Sequence, residues 1–186
     1  RDVLGSRGLG DVYKRQGYGG SCFPKDTNAM AYMGRQNKVN LSLIEAAIKG
    51  NDERKKAMAE RILNCVKNIN APKIAVLGLA FKDGTDDCRE SPAVYIVNEL
   101  LNQGADITAY DPKAMENAKL LLGDKISYAE DMYAVAKGAD VLAILTEWNE
   151  FRNLDLTRLK ALMRTPQIVD LRNMLDPCLL YTSDAA

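Results

Sequence analysis

The stretch GYGGSCFPKD, Gly17 to Asp26, sets three residues able to carry chemistry, Cys22, Lys25 and Asp26, directly behind Gly17, Gly19 and Gly20. Glycines allow a backbone to approach a partner closely. They also leave the cysteine exposed, with a lysine just beyond it and a helix expected to begin there. A nearby cation and a helix N-terminus both favour thiolate over thiol, so Cys22 is a candidate nucleophile, with a purely structural role as the alternative. The chain of 186 residues contains no histidine. Ser-His-Asp and Cys-His catalysis within it are therefore excluded, and proton transfer falls to Asp, Glu, Lys, Tyr, a thiol or water.

A second group follows the apolar run KIAVLGLAF. The loop KDGTDDCRE carries Lys82 and Arg89 and feeds a helix N-terminus at Ser91. Two cations and a helix dipole facing one region suit an anion such as a phosphate. The alternative is that both are solvated or paired with Asp83, Asp86, Asp87 and Glu90. The run has only Gly78 where a G-x-G-x-x-G would stand, so a nucleotide other than NAD is expected at this strand. Asp111 ends the next strand, as a ribose-reading acid or as a turn former before Pro112. Trp148, in TEWNEF, reads as packing at a strand end. Arg172 follows the last expected strand, facing the same cleft or solvent. Cys65 and Cys88 read as small hydrophobes.

The elements that must position these groups come in two kinds. A short helix over Asp26 to Arg35, capped by Asp26 or Thr27, follows the glycine loop. Ser42 and Glu45 fit a capping box opening a helix of about 28 residues, roughly 40 Å long. Ile44, Ala47, Ile48, Asn51, Lys55, Met58, Ile62, Cys65, Val66 and Ile69 share one stripe of it, as in a connector or dimerisation strut. From Pro72 strands alternate with helices. Strands are expected at KIAVLGLAF, Asp106 to Tyr110, Ile126 to Tyr128, Asp140 to Leu145 and Gln167 to Asp170. Helices are expected at Ser91 to Gln103, Pro112 to Leu122, Asp131 to Lys137 and Asp155 to Met163. That alternation predicts an α/β fold with a parallel sheet, helices on both faces and ligands beyond the carboxyl ends of the strands.

The 25 basic and 25 acidic residues cancel, and 47% of residues are hydrophobic. Neither nucleic acid nor a membrane is expected as partner, since no dense basic run and no apolar run near ~18 residues occurs. Cys22, Cys65, Cys88 and Cys178 are irregularly spaced, which reads as a reduced, cytoplasmic protein without a metal site. The end segments, 1–16 and 178–186, resemble translated adaptor scars, and GSRGLG in the first has neither the strand nor the helix of a phosphate loop. The remaining chain, 17–177, reads as the C-terminal part of a longer protein.

GYGGSCFPKD, GLAFKDGTDDCRESPA, AYDPKAM, LTEWNEF and VDLRN, in that order, resemble the UDP-glucose/GDP-mannose dehydrogenase family over essentially all of Gly17 to Pro177. The resemblance implies that residues 17–36 form a catalytic-cysteine loop and short helix, and 37–70 the long helix of a partial central domain, which makes a homodimer. It implies that 71–177 form a Rossmann-like UDP-sugar-binding domain. It further implies NAD as cofactor, UDP-glucose as substrate, and two oxidations of a primary alcohol with Cys22 holding the intermediate. Asp26 is then expected to help activate water, with Lys25 near NAD and Arg89 reaching over to it. Gly17, Tyr18 and Gly19 line the sugar pocket, while Phe81, Lys82 and Arg172 contact the nucleotide sugar. Leu171 stands where the family usually has glycine. The family's lysine and asparagine upstream of the cysteine loop are not matched here, so the fragment alone is expected to be inactive. GDP-mannose or UDP-N-acetylhexosamine dehydrogenation, a non-catalytic nucleotide-binding module, and a dimerising scaffold remain alternatives.

Overall fold

The computed structural model describes residues 16–175. The segments read as scars lie outside these residues, except for Gln16.

Five strands, β1 (Lys73–Leu77), β2 (Asp106–Tyr110), β3 (Ser127–Tyr128), β4 (Val141–Ile144) and β5 (Ile168–Asp170), form one sheet in the order β3-β2-β1-β4-β5. Every pairing is parallel, as the strand–helix alternation predicts. The central strands read as continuous apolar runs because both of their faces are covered; all four residues of β4 and all but the first of β1 are buried. Right-handed crossovers place α3 (Pro92–Asn102) and α4 (Met115–Leu122) on one face. The chain then reverses direction across β1, which puts the 3-10 turn Ala134–Ala136 and α5 (Leu156–Leu162) on the other. The reversal lies between β1 and β4, where open sheets of this kind bind ligands.

Two helices precede the sheet, α1 (Phe23–Gln36) and α2 (Ser42–Cys65). The 24 residues of α2 span on the order of 36 Å, somewhat shorter than its sequence pattern predicts. Its stripe divides in two. Met58, Ala59 and Ile62 are buried and join a core with Ile96 and Val97 of α3, whereas Ile44, Ile48 and Asn51 are half-buried and Ala47 is exposed. Burying Ile62 completely stabilises this junction by about 1.5–3 kcal/mol. Lys55 lies along the same seam with its ammonium 4.8 Å from the centre of the Tyr95 ring and 2.8 Å from Asp52. Its aliphatic stem is thereby covered while the charge stays paired.

Local signals misplace several ends. Helix α1 begins at Phe23, with Cys22 in the N-cap position and Pro24 in the first turn. Asp26 and Thr27 therefore lie inside the helix and cap nothing; the Thr27 hydroxyl donates back to the Phe23 and Pro24 carbonyls. No capping box opens α2, because the Ser42 amide donates to Asn40 Oδ1 and Glu45 pairs with Arg35 at 2.9 Å, tying α2 to α1. Asp131 to Lys137 makes only the turn Ala134–Ala136, since Asp131 takes the amides of Tyr133 and Ala134 and β4 begins soon after. Helix α4 starts at Met115 because Asp111 holds the amides of Lys113 and Ala114 in a turn ahead of it. Ser91 caps α3 as expected, its Oγ accepting from the Ala93 amide, and Asp155, the expected start of the last helix, serves as the N-cap of α5, accepting from the Arg158 amide.

Candidate active site

The glycine loop is seated on the sheet domain, at the reversal between β1 and β4. Gln16 Nε2 donates to the carbonyl of Leu145, just past β4, at 2.6 Å. A Cβ on Gly19 would stand 2.5 Å from Pro92 Cδ and closer still to the Glu90 carbonyl oxygen. Gly20 has φ +86°, and a Cβ there would meet the Phe81 ring at 2.8 Å. These glycines thus admit other parts of the same protein into close contact with the loop. From the opposite side Asn51 of α2 grips the loop, its Oδ1 accepting from the Tyr18 amide at 2.7 Å and its Nδ2 donating to the Tyr18 carbonyl at 3.2 Å. Tyr18 also packs edge-on against Phe23, ring centres 4.6 Å apart. Gly17, Tyr18, Gly19 and Phe81 are therefore brought together.

Cys22 is exposed, with the Ser21 hydroxyl 3.7 Å from its sulfur. Lys25 pairs with Asp26 at 2.8 Å, both on the surface. The Lys25 ammonium is held above its usual range, chiefly by its hydrogen bond to Asp26 and that carboxylate's charge, with Cys22 contributing least. Arg89 grips Asp87 through Nε and Nη2, the shortest contact being 2.7 Å. This pairing pushes Arg89 up, with Cys22 again a minor contributor, and holds the Asp87 carboxyl below the usual carboxylate range. Cys22 therefore lies within electrostatic reach of both Lys25 and Arg89. The other two described cysteines are not disposed to react. Burial, followed by the charges of Asp111, Asp87 and Asp86, pushes the Cys88 thiol up to about 12, and burial also raises Cys65. Among the three described cysteines, Cys22 is the exposed one.

Lys82 is exposed, its ammonium 5.4 Å from the centre of the Phe81 ring. Arg172 differs from the sequence picture of a group open to the cleft. It is 3% exposed and forms an ion pair with Glu147, a residue that sequence reasoning did not single out. Burial lowers the Arg172 guanidinium to about 10, and its Nε is buried with no hydrogen-bond partner among the described residues. Asp111 is also committed internally, both of its oxygens accepting from protein amides and from the Trp148 indole. It is not free to read a ribose.

A parallel sheet with a direction reversal at its centre, and a thiol-bearing loop docked at that reversal, define a Rossmann-like α/β protein, a class in which ligands bind beyond the carboxyl ends of the strands. Residues 75–177 match the UDP-glucose/GDP-mannose dehydrogenase family, UDP binding domain, and residues 6–53 match its central domain. The chain belongs to this family. It is 49% identical over 159 residues to the UDP-glucose 6-dehydrogenase of Rhizobium meliloti (strain 1021), an alignment covering 85% of this chain and 36% of that protein. Over 158 residues it is 39% identical to the UDP-glucose 6-dehydrogenase TuaD of Bacillus subtilis (strain 168), covering 85% of this chain and 34% of the relative. A UDP-glucose dehydrogenase structure from Pyrobaculum islandicum superposes with a TM-score of 0.77 at 34% identity, covering 86% of this chain and 35% of that one. A UDP-D-ManNAc dehydrogenase structure from Pyrococcus horikoshii superposes with a TM-score of 0.71 at 31% identity, covering 87% and 36%. The chain spans about a third of the length of these relatives, and the central-domain match begins inside the segment read as a scar.

Proposed function

We propose that this chain supplies the nucleophile and the nucleotide-sugar site of an NAD-dependent dehydrogenase that oxidises UDP-glucose twice, to UDP-glucuronate. The observation that carries the reading is the seating of the Cys22 loop against Phe81 and the Glu90–Pro92 turn, at the carboxyl edge of the sheet. A nucleotide anchored on that edge lies beside an exposed sulfur.

NAD, when bound, accepts one hydride in each of the two oxidations. The first converts the primary alcohol at C6 to an aldehyde, losing a hydride and a proton. The Cys22 thiolate adds to the aldehyde carbon, forming a C–S bond and, after protonation of the oxygen, a thiohemiacetal. Loss of the second hydride from that carbon, and of the hydroxyl proton, leaves a thioester. Water attacks the thioester, the C–S bond breaks, and carboxylate and thiol are released. Asp26, in the first turn of α1, orients the water, and Lys25 and Arg89 are the residues that would hold the cofactor beside the sulfur. The Lys25–Asp26 pair is exposed on both sides and worth little, so a phosphate can take the place of that carboxylate without large cost. Phe81 and Lys82 contact the nucleotide sugar. Arg172, held by Glu147, supplies positive charge beneath them.

The full chain tests this without turnover. UDP-glucose is expected to bind, to compete better than GDP-mannose or a UDP-N-acetylhexosamine, and to slow iodoacetamide alkylation of Cys22 while a Cys22→Ser variant still binds it. Unchanged Cys22 alkylation at saturating UDP-glucose refutes the proposal. The chain alone is expected to form no NADH from UDP-glucose.

A further inference from the structure

The geometry points to Asp111 as the positioning residue of the nucleotide-sugar edge, a role that rests on the function proposed above. Asp111 is 1% exposed and immediately follows β2, yet it touches three separate loops. Its Oδ2 accepts from the Leu79 amide at 2.7 Å, the Ala80 amide at 3.0 Å and the Trp148 indole Nε1 at 3.1 Å. Its Oδ1 accepts from the amides of Lys113 at 3.0 Å and Ala114 at 2.8 Å.

What these donors lead to gives the carboxylate its role. Leu79 and Ala80 immediately precede Phe81 and Lys82, the pair assigned to the nucleotide sugar. Trp148 immediately follows Glu147, the partner of Arg172. One buried anion thus fixes the departure of the β1 loop and the departure of the β4 loop, on either side of the reversal. It also occupies the place where successive amides after a first strand could otherwise receive a phosphate, which directs a ligand's phosphates outward to the loop side chains. The same β1 loop is braced further by Thr146 Oγ1 donating to the Ala80 carbonyl at 2.7 Å and Ser91 Oγ donating to that of Leu79 at 2.8 Å. Those hydroxyls hold carbonyls; Asp111 holds the amides of Leu79 and Ala80, which lie between the Gly78 amide on the Tyr110 carbonyl and the Phe81 amide on the Asp87 carbonyl. An asparagine cannot replace it, since every group facing the two oxygens is a donor and the amide nitrogen would meet donors in either orientation.

The test compares Asp111→Asn with Asp140→Asn in the full chain. Asp140 is equally buried and likewise binds a backbone amide, that of Lys73, with Arg164 as its ion partner, but it lies at the opposite, amino edge of the sheet. Hydrogen exchange without ligand is expected to be at least tenfold faster over residues 79–90 in Asp111→Asn. In Asp140→Asn it should change there no more than in the rest of the sheet. UDP affinity is expected to fall at least tenfold in the first variant and to stay within twofold in the second. Equal effects of the two variants, on exchange or on affinity, overturn the assignment. If the unsubstituted chain does not bind UDP, the proposed function fails, and the exchange comparison still decides whether Asp111 orders the loops. Should Asp111→Asn not fold, Trp148→Phe removes one donor and leaves the carboxylate in place. At least threefold faster exchange over residues 145–150 is then expected, and unaltered exchange overturns the assignment.

Discussion

Replacing Gly19 with alanine tests whether the cysteine loop is docked on the sheet domain as described. The added methyl would lie 2.5 Å from Pro92 Cδ and nearer still to the Glu90 carbonyl. Neither neighbour is a flexible side-chain end. Glu90 already has φ +51°, and Pro92 begins α3 with Ser91 capping it, so relief requires the loop to lift or the start of α3 to shift. Overpacking of this kind costs about 1–3 kcal/mol. At ~2–4 °C per kcal/mol for a chain of this size, Tm should fall by roughly 2–12 °C. Gly50→Ala provides the opposite sign. Gly50 lies within α2, and among the described residues nothing beyond the helix's own backbone stands within 4 Å of its would-be Cβ. Alanine there gains about 0.8–1 kcal/mol of helix propensity, and Tm should rise by a few degrees. Melting of both variants by far-ultraviolet circular dichroism checks the pair. A Gly19→Ala protein that melts at the unsubstituted temperature refutes the docking, because a loop standing clear of Glu90 and Pro92 would accept the methyl freely.

Ser91→Ala should cost about 1–3 kcal/mol in urea unfolding, since it removes the cap of α3 and leaves the buried Leu79 carbonyl without its hydroxyl donor. Ser91→Thr should recover part of the loss. Cys88 gives a dependence on alkaline pH. Its folded thiol is pushed from 9.0 to about 12, so between those values the folded chain keeps a proton that the unfolded chain releases. Stability then falls as pH rises above about 9, by at most ~1.4 kcal/mol per pH unit from this group. Urea midpoints at pH 8 and 10 should diverge less in Cys88→Ala than in the unsubstituted chain.

The parts of this molecule that sequence makes legible are those governed by near neighbours. Strand β2 has the bounds its pattern predicts, and Ser91–Pro92 opens α3 because the cap and the fixed φ act within one turn. Cys22 stands out because its glycines, lysine and helix start are contiguous, and Cys88 is recognisable as inert from its setting beside an apolar strand. Reading fails where a polar side chain has two competing partners. Ser42 and Glu45 have the spacing of a capping box, yet Arg35 takes Glu45 and Asn40 takes the Ser42 amide. The start of α1 is missed for a related reason: Pro24 is favourable in a first turn, and that outweighs the capping preference of Asp26.

The largest omissions are polar groups whose partners are far along the chain. Asn51 looks like an imperfection in the apolar stripe of α2 until the loop at Tyr18, 33 residues earlier, is seen to take both ends of its amide. Asp111 looks like a turn former and is one, through Lys113 and Ala114. Its other bonds reach back to Leu79 and Ala80 and forward to Trp148, 37 residues on. Glu147 carries no local signature at all, and the burial of Arg172 follows from it. A buried polar group without a partner is costly, so each such residue implies a partner somewhere, but its own neighbourhood does not say where. In a parallel sheet, successive strand ends share one edge while lying tens of residues apart in sequence. The residues that organise a carboxyl-edge site are therefore the ones whose partners sequence leaves unnamed, while the residues offered to a ligand, exposed on loops with special local composition, are the ones it reveals.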